Sequence, residues 1–306
     1  MQRYLVRRLL SVIPTLFLVV TIAFFMMRVA PGGPFNLERP LDPQVMENLE
    51  RLYHLDAPLW RQYLGYLWGL LHGDLGPSFY WRDFTVAELF ARALPISAAL
   101  GASALVLALA AGGALGAFSA MRHRGAADHL AMGLASVGVT VPSFVIAPLL
   151  QLVFGLSLKW LPVGGWGEGS PAFAILPVVT LALPQIAAIA RLTRAAMIEA
   201  LNSDAARTLR AYGMPGRIIL KHALRAALLP VVCYIGPPAA ALMTGSVVVE
   251  SVFGIPGVGR YFIDGALNRD YTLVMGAVIV IAALIVMFNL LVDLAYALID
   301  PRVRHE

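Results

Sequence analysis

Six stretches without a charged side chain, at 9–27, 95–121, 130–158, 171–190, 226–249 and 271–292, constrain what this chain can fold into more than any other feature. A bilayer core takes about 20 apolar residues of helix to cross. Each stretch is long enough. Lipid offers no hydrogen bonds, so a crossing segment must satisfy its own N–H and C=O groups, and an α-helix does so within one segment. The expected fold is therefore all-α: a polytopic membrane protein with six transmembrane helices. Composition agrees, at 59% hydrophobic and 13% charged residues against roughly 45–50% and 25% in soluble domains. The first stretch follows Arg3, Arg7 and Arg8 but exceeds the 7–15 residues typical of a signal peptide's apolar region, so it reads as an uncleaved signal-anchor.

Orientation follows from Lys and Arg near the span ends. The side holding the N-terminus carries fourteen: Arg3, Arg7, Arg8, Arg122, Arg124, Arg191, Arg194, Arg207, Arg210, Arg217, Lys221, Arg225, Arg302 and Arg304. The other side, leaving out the long first loop, carries four: Arg28, Lys159, Arg260 and Arg269. The N-terminus is expected in the cytoplasm, and six crossings return the C-terminus there. The formal net charge of +5 does not indicate nucleic acid, because the basic residues flank apolar spans and no aromatic platform lies between them.

The first external segment, 31–93, is too long for a turn. Asp42-Pro43 resembles a cap with proline at the first helical position, followed by Val45, Met46, Leu49, Leu52 and Tyr53 at helical spacing. A second amphipathic piece carries Leu59, Trp60, Tyr63, Leu64, Leu67 and Leu71, and Gly73 stops it. It reads either as a cap receiving something outside or as helices resting on the membrane face. Gly112 and Gly116 stand at GxxxG spacing, a weak sign of close helix packing. Prolines 142, 148, 177, 184, 237 and 238 interrupt hydrogen bonding inside three spans, and those sites need protein or water cover. The glycine-rich segment 247–271 is either a folded plug at the external mouth or a solvated connection. Asn289 and Asp293 lie one turn apart near the inner end of the last span. That carboxylate is either functional or paired with a neighbouring arginine.

Segment 203–230 carries most of the basic charge of the second half. Asn202, Ser203 and Asp204 are suitable N-caps, so a helix starts near Ala205; Gly213 ends it in the left-handed conformation and Pro215 bars continuation. Its apolar positions Ala205, Leu209 and Tyr212 form one stripe, with Arg207 and Arg210 elsewhere. Arg217, Lys221 and Arg225 then share a face of the next helix. A helix of two turns is marginal alone, so something must cover the stripe. Lipid headgroups and a soluble partner's groove are both possible covers.

Enzyme chemistry finds little material. There is no HExxH and no GxxxxGK[ST] phosphate loop. All six histidines lie in loops or at span ends, and a single cysteine, Cys233, excludes a disulfide scaffold. Asp128, Asp293 and Asp300 make no convincing intramembrane pair, and the spans bury almost no ionisable groups, unlike a proton-coupled carrier. A self-contained channel stays open as an alternative, an intramembrane enzyme less so; the expectation is that the chain is not an enzyme and binds no metal or cofactor.

The chain resembles the B-type membrane subunits of bacterial oligopeptide ABC importers. The resemblance rests on RRLLSVIPTLFLVVTIAFFMMRVAPGGPF near the start, GDLGPSF at 73–79, VPSFVIAPLL at 141–150, KHALRAALLP at 221–230, GSVVVESVFGIPGVG at 245–259, GALNRDY at 265–271 and NLLVDLAYALIDPR at 289–302. It implies a type I importer permease. Two homologous permeases form the pore as a heterodimer, two cytoplasmic ATPases that carry the ATP and Mg drive it, and an external binding protein delivers a peptide substrate. It also implies a bacterial inner-membrane location, an N-terminal part over 1–93, a permease core over 94–297 with a coupling loop at 198–222, and a cytoplasmic tail at 298–306. The family's coupling helix, which seats in a cleft of the ATPase, maps onto Ala205, Ala206, Arg207, Thr208, Leu209, Arg210, Ala211, Tyr212 and Gly213. Peptide-branch members commonly carry alanine where Leu209 stands and lysine where Tyr212 stands. The external mouth maps onto Glu250, Phe253, Gly254, Pro256, Gly257 and Gly259. Dipeptide, nickel-chelate and glutathione importers are the alternatives within the family.

Overall fold

The computed structural model describes residues 2–29, 56–243 and 246–299, with side chains described over 10–29, 56–243 and 246–291. The amphipathic pattern over 42–53 lies outside the described residues. So does the side chain of Asp293.

Helix α1 (Gln2–Val29) crosses first, and α2 (Leu59–Leu71) lies against its far end. Thr21 Oγ1 and Tyr63 OH are hydrogen-bonded at 2.6 Å, and Phe24 packs on the rings of Tyr63 and Tyr66. Helix α3 (Val86–Met121) opens with a capping box. The Thr85 hydroxyl accepts from the Glu88 N–H, and Glu88 accepts from the Thr85 N–H. Its 36 residues span about 54 Å, well beyond a hydrocarbon core of about 30 Å. The helix therefore starts nine residues before the uncharged stretch that announces it, because hydrogen bonding does not stop where charge begins.

The third crossing is not one helix. Expected as a single span over 130–158, it is built of α4 (Ala126–Thr140) and α5 (Ser143–Leu150), which runs into a π-helical stretch at Gln151–Ser157. The two halves are bent by 104°. Val141 and Pro142 between them are extended, as the residue before a proline prefers, and Pro142 caps the second half. Pro148 lacks the N–H that would continue the α ladder, and the wider π register follows it.

Helix α6 (Pro171–Asn202) carries the fourth crossing and runs on past Arg191 and Arg194. The short α7 (Asp204–Ala211) and the fifth crossing, α8 (Gly216–Met243), follow. Arg217, Lys221 and Arg225 belong to the same continuous helix as the fifth crossing, and Pro230 does not interrupt it. That helix ends at Met243, so residues 247–249, expected within the span, belong to a separate short helix, α9 (Val247–Phe253). Then come α10 (Val258–Leu267) and α11 (Tyr271–Ile299). Among the described residues five helices are long and apolar enough to cross a membrane, and the bent pair, taken as one broken span, brings the number to six.

The core lies where α3, α6 and α8 pack together. Leu100, Ala104 and Ala108 of α3 meet Leu181, Ala182 and Ile189 of α6 and Val231 of α8. Small residues let the backbones approach: a Cβ on Gly116 would meet the Ala190 carbonyl oxygen of α6. Helix α1 stands outside this bundle and packs chiefly on α11. Its outward side chains, Leu10, Ile13, Phe17 and Met26, are exposed, as suits a lipid-facing helix.

Candidate coupling site and outer hairpin

Short helices lie at both ends of the bundle, α7 at one and α9 with α10 at the other. At the end holding the N-terminus, α6 stops at Asn202 and the chain turns through Ser203, whose backbone is extended. The Ser203 hydroxyl accepts from the Ala206 N–H at 3.3 Å, and Asp204 puts negative charge in the first turn of α7. The far end closes as a Schellman motif. The Gly213 N–H donates to the Arg210 carbonyl at 2.9 Å and the Met214 N–H to the Leu209 carbonyl at 3.1 Å, with Gly213 at φ 69°. A Cβ at Gly213 would meet nothing within 4 Å, so glycine is needed for its backbone and not for space. Between these caps lie eight residues, about 12 Å of helix.

The faces of α7 divide the expected stripe. Ala206 is buried and Leu209 half-buried, toward α6 and α8. Ala205, Arg207, Thr208, Ala211 and Gly213 are exposed, and Tyr212 is 78% exposed. Met214 beside it is exposed as well. A ring this open at the tip of a polar helix leaves an apolar surface uncovered. Arg210 reaches back to the Leu201 carbonyl at 2.8 Å, tying α7 to the end of α6, while Arg207 pairs with Asp204 at 3.1 Å on the solvent side.

Behind α7, three helices are fastened by one carboxylate. Asp128 at the start of α4 is buried and takes two hydrogen bonds from Arg194 of α6, Nε to Oδ1 at 2.7 Å and Nη2 to Oδ2 at 2.6 Å. The Ser119 hydroxyl of α3 donates to the same carboxylate, and the Arg124 N–H donates at 3.0 Å. The sequence pattern does not single out Asp128, for which it offers no second carboxylate as a partner. The available signal was a lone acid at a span boundary, with the arginines at the end of the 171–190 stretch, Arg191 and Arg194, as candidate partners.

At the opposite end, α9 and α10 form a folded hairpin, not a solvated connection. Glu250 is 1% exposed. It accepts from the Ser97 hydroxyl of α3 at 2.7 Å and from the Gly259 N–H at 2.8 Å, while Ser97 in turn accepts from the Val258 N–H at 3.0 Å. Gly257 and Gly259 give the carboxylate its room, since a Cβ on Gly257 would overlap it. Burial pushes the Glu250 carboxyl above the usual carboxylate range, and the hydrogen bonds from Ser97 and the Gly259 and Arg260 N–H groups oppose that shift. Phe253 and Ile255 are buried in the main core, Gly254 between them turns the chain at φ 66°, and Pro256, which follows, is half-buried. The Phe253 carbonyl accepts from the Gly165 N–H at 2.7 Å, joining the hairpin to the loop after the bent crossing. Among the described residues no group of three His, Cys, Asp or Glu side chains gathers as a metal site would.

An all-helical bundle with a capped two-turn helix at one end and a packed hairpin at the other is the architecture of a multi-pass membrane protein. The chain belongs to the family described as "Binding-protein-dependent transport system inner membrane component", which matches residues 112–305; the companion N-terminal family of the same systems matches residues 1–94. It is 51% identical, over the whole of both chains, to the oligopeptide transport system permease protein OppB of Salmonella typhimurium. It is 48% identical over the same full coverage to the protein of that name from Haemophilus influenzae. The dipeptide transport system permease protein DppB of Bacillus subtilis is 42% identical over 99% of this chain and 98% of its own.

Proposed function

We propose that this chain is the permease subunit of an ATP-driven importer of oligopeptides, forming half of the translocation pore. The full-length identity to oligopeptide permeases supports this cargo. Dipeptides are the second reading, favoured by the relatives at 42% and 41% identity. A second homologous permease completes the pore. An external binding protein presents the peptide, and two cytoplasmic ATPases, which hold the ATP and Mg, drive the cycle. The N- and C-termini face the cytoplasm with the arginine-rich loops.

Within this reading α7 is the coupling helix. The observation that carries it is the exposed Tyr212, Met214 and Ala205 surface on a helix rigidly capped at both ends. Such a helix suits a groove on a soluble partner. Closure of the ATPase pair then moves α7, and the ties from α7 to α6 and α8 pass the motion to the bundle, exchanging inward and outward access. The α9–α10 hairpin, fastened to α3 by Glu250, lies at the outer mouth. The test is peptide uptake and peptide-stimulated ATP hydrolysis in proteoliposomes holding the assembled transporter. Tyr212→Asp, on the exposed surface, should abolish uptake and disconnect hydrolysis from peptide while leaving the chain in the membrane. Normal uptake by that variant rejects the docking role.

A further inference from the structure

A cavity of about 820 Å³ lies outside the α3–α6–α8 bundle, between the last turns of α1, the inner face of α2 and the start of α11. Its walls include Phe24, Tyr66 and Met275. Two arginines, Arg28 and Arg61, and two acids, Asp56 and Asp74, line it as well. Arg28 is half-buried, with its guanidinium 5.3 Å from the centre of the Phe24 ring, and among the described residues no carboxylate pairs with it. The Tyr66 hydroxyl is buried and has no hydrogen-bond partner among the described residues. Both groups flank Phe24, and a half-buried cation with no ion-pair partner among the described residues is unfavourable unless something enters. Gly65 of α2 keeps the space open, since a Cβ there would meet nothing within 4 Å.

The surroundings say what enters. Phe25, Met26 and Val29 of α1 beside the cavity are exposed, so lipid is at hand. The bond between Thr21 and Tyr63 sets α2 alongside the last two turns of α1, at the membrane boundary away from the N-terminus. Two cations and two anions on apolar walls fit a zwitterion with a hydrocarbon tail. We infer that this cavity holds one amino-phospholipid, its phosphate on Arg28, its ammonium toward Asp56 or Asp74, and its acyl chains along α1. The bound lipid then acts as a wedge that fixes α2 against α1 and α11.

Native mass spectrometry of the full-length chain with its accompanying subunits tests this. The complex would be taken from nanodiscs of equal phosphatidylethanolamine, phosphatidylglycerol and phosphatidylcholine. One phosphatidylethanolamine per chain should be retained. Arg28→Met and Gly65→Trp should each lower retention about tenfold, the scale of one charge-assisted hydrogen bond. In lipid-free detergent Gly65→Trp should melt like the wild type, and added phosphatidylethanolamine should raise the melting temperature of the wild type alone. Equal retention by the wild type and both variants overturns the site. So does preference for phosphatidylglycerol, which has no ammonium. Displacement by millimolar trialanine would make the cavity a peptide site and also overturn it.

Discussion

Arg194 grips Asp128 with two nitrogens on two oxygens, at 2.7 and 2.6 Å, and so joins the start of α4 to the helix that leads into α7. Ser119 adds α3 to the same point. Three helices thus meet at one buried carboxylate.

Removing the two partners should not be equivalent. The Asp128 side chain is 1% exposed and that of Arg194 is 26% exposed. Arg194→Met therefore strands a carboxylate away from water, whereas Asp128→Asn leaves an arginine that can turn toward solvent. Thermal unfolding of the purified transporter should show the larger fall for Arg194→Met. Equal falls would mean that the pair is not buried in solution.

Gly213 separates backbone strain from loss of docking. Gly213→Ala must hold alanine in the left-handed region, which costs about 1 kcal/mol but leaves the cap bonds available, and uptake should drop only in part. Gly213→Pro cannot adopt φ 69° and loses the N–H that bonds to Arg210, so uptake should vanish. The readout is peptide uptake set against ATP hydrolysis in proteoliposomes. Identical behaviour of the two variants would contradict the cap.

Gly113 and Gly116 sit on the same helix with opposite surroundings. A Cβ at Gly113 meets nothing within 4 Å, while one at Gly116 runs into the Ala190 carbonyl of α6. Gly116→Val should destabilise by about 3 kcal/mol, at the upper end of overpacking effects, or prevent assembly. Gly113→Val should be silent in the same detergent melt.

Glu250 sets a pH dependence. Its carboxyl is raised by burial, so the folded protein holds the proton more tightly than the unfolded chain. The stability this gives is fully present below the ordinary carboxylate range and is lost as pH rises through the elevated value. Melting temperature should fall over that window, and Glu250→Gln should flatten the fall. A wild-type curve already flat there would refute the assignment.

Much of the site was legible from local chemistry. Ser203, Gly213 and Pro215 announce the two-turn helix because caps and breakers act within a few residues of their own position. The division of its stripe was not legible, since Ala206 faces inward only because α6 and α8 stand where they do. Likewise the glycine-rich letters of 254–259 fit a solvated loop as well as a packed hairpin. What separates the two is Ser97, far away in the chain, donating to Glu250.

Hydrophobic length and the demand that lipid places on backbone hydrogen bonds determined, from sequence alone, that this protein is a bundle of membrane-crossing helices. Tertiary structure alone decided that the third crossing bends through 104°, that Asp128 has Arg194 as its partner, and that a cavity opens beside Arg28. The reason is range. A span or a cap is determined by neighbours along the chain, whereas a buried charge finds its counterpart, and a cavity its walls, only once distant helices have packed.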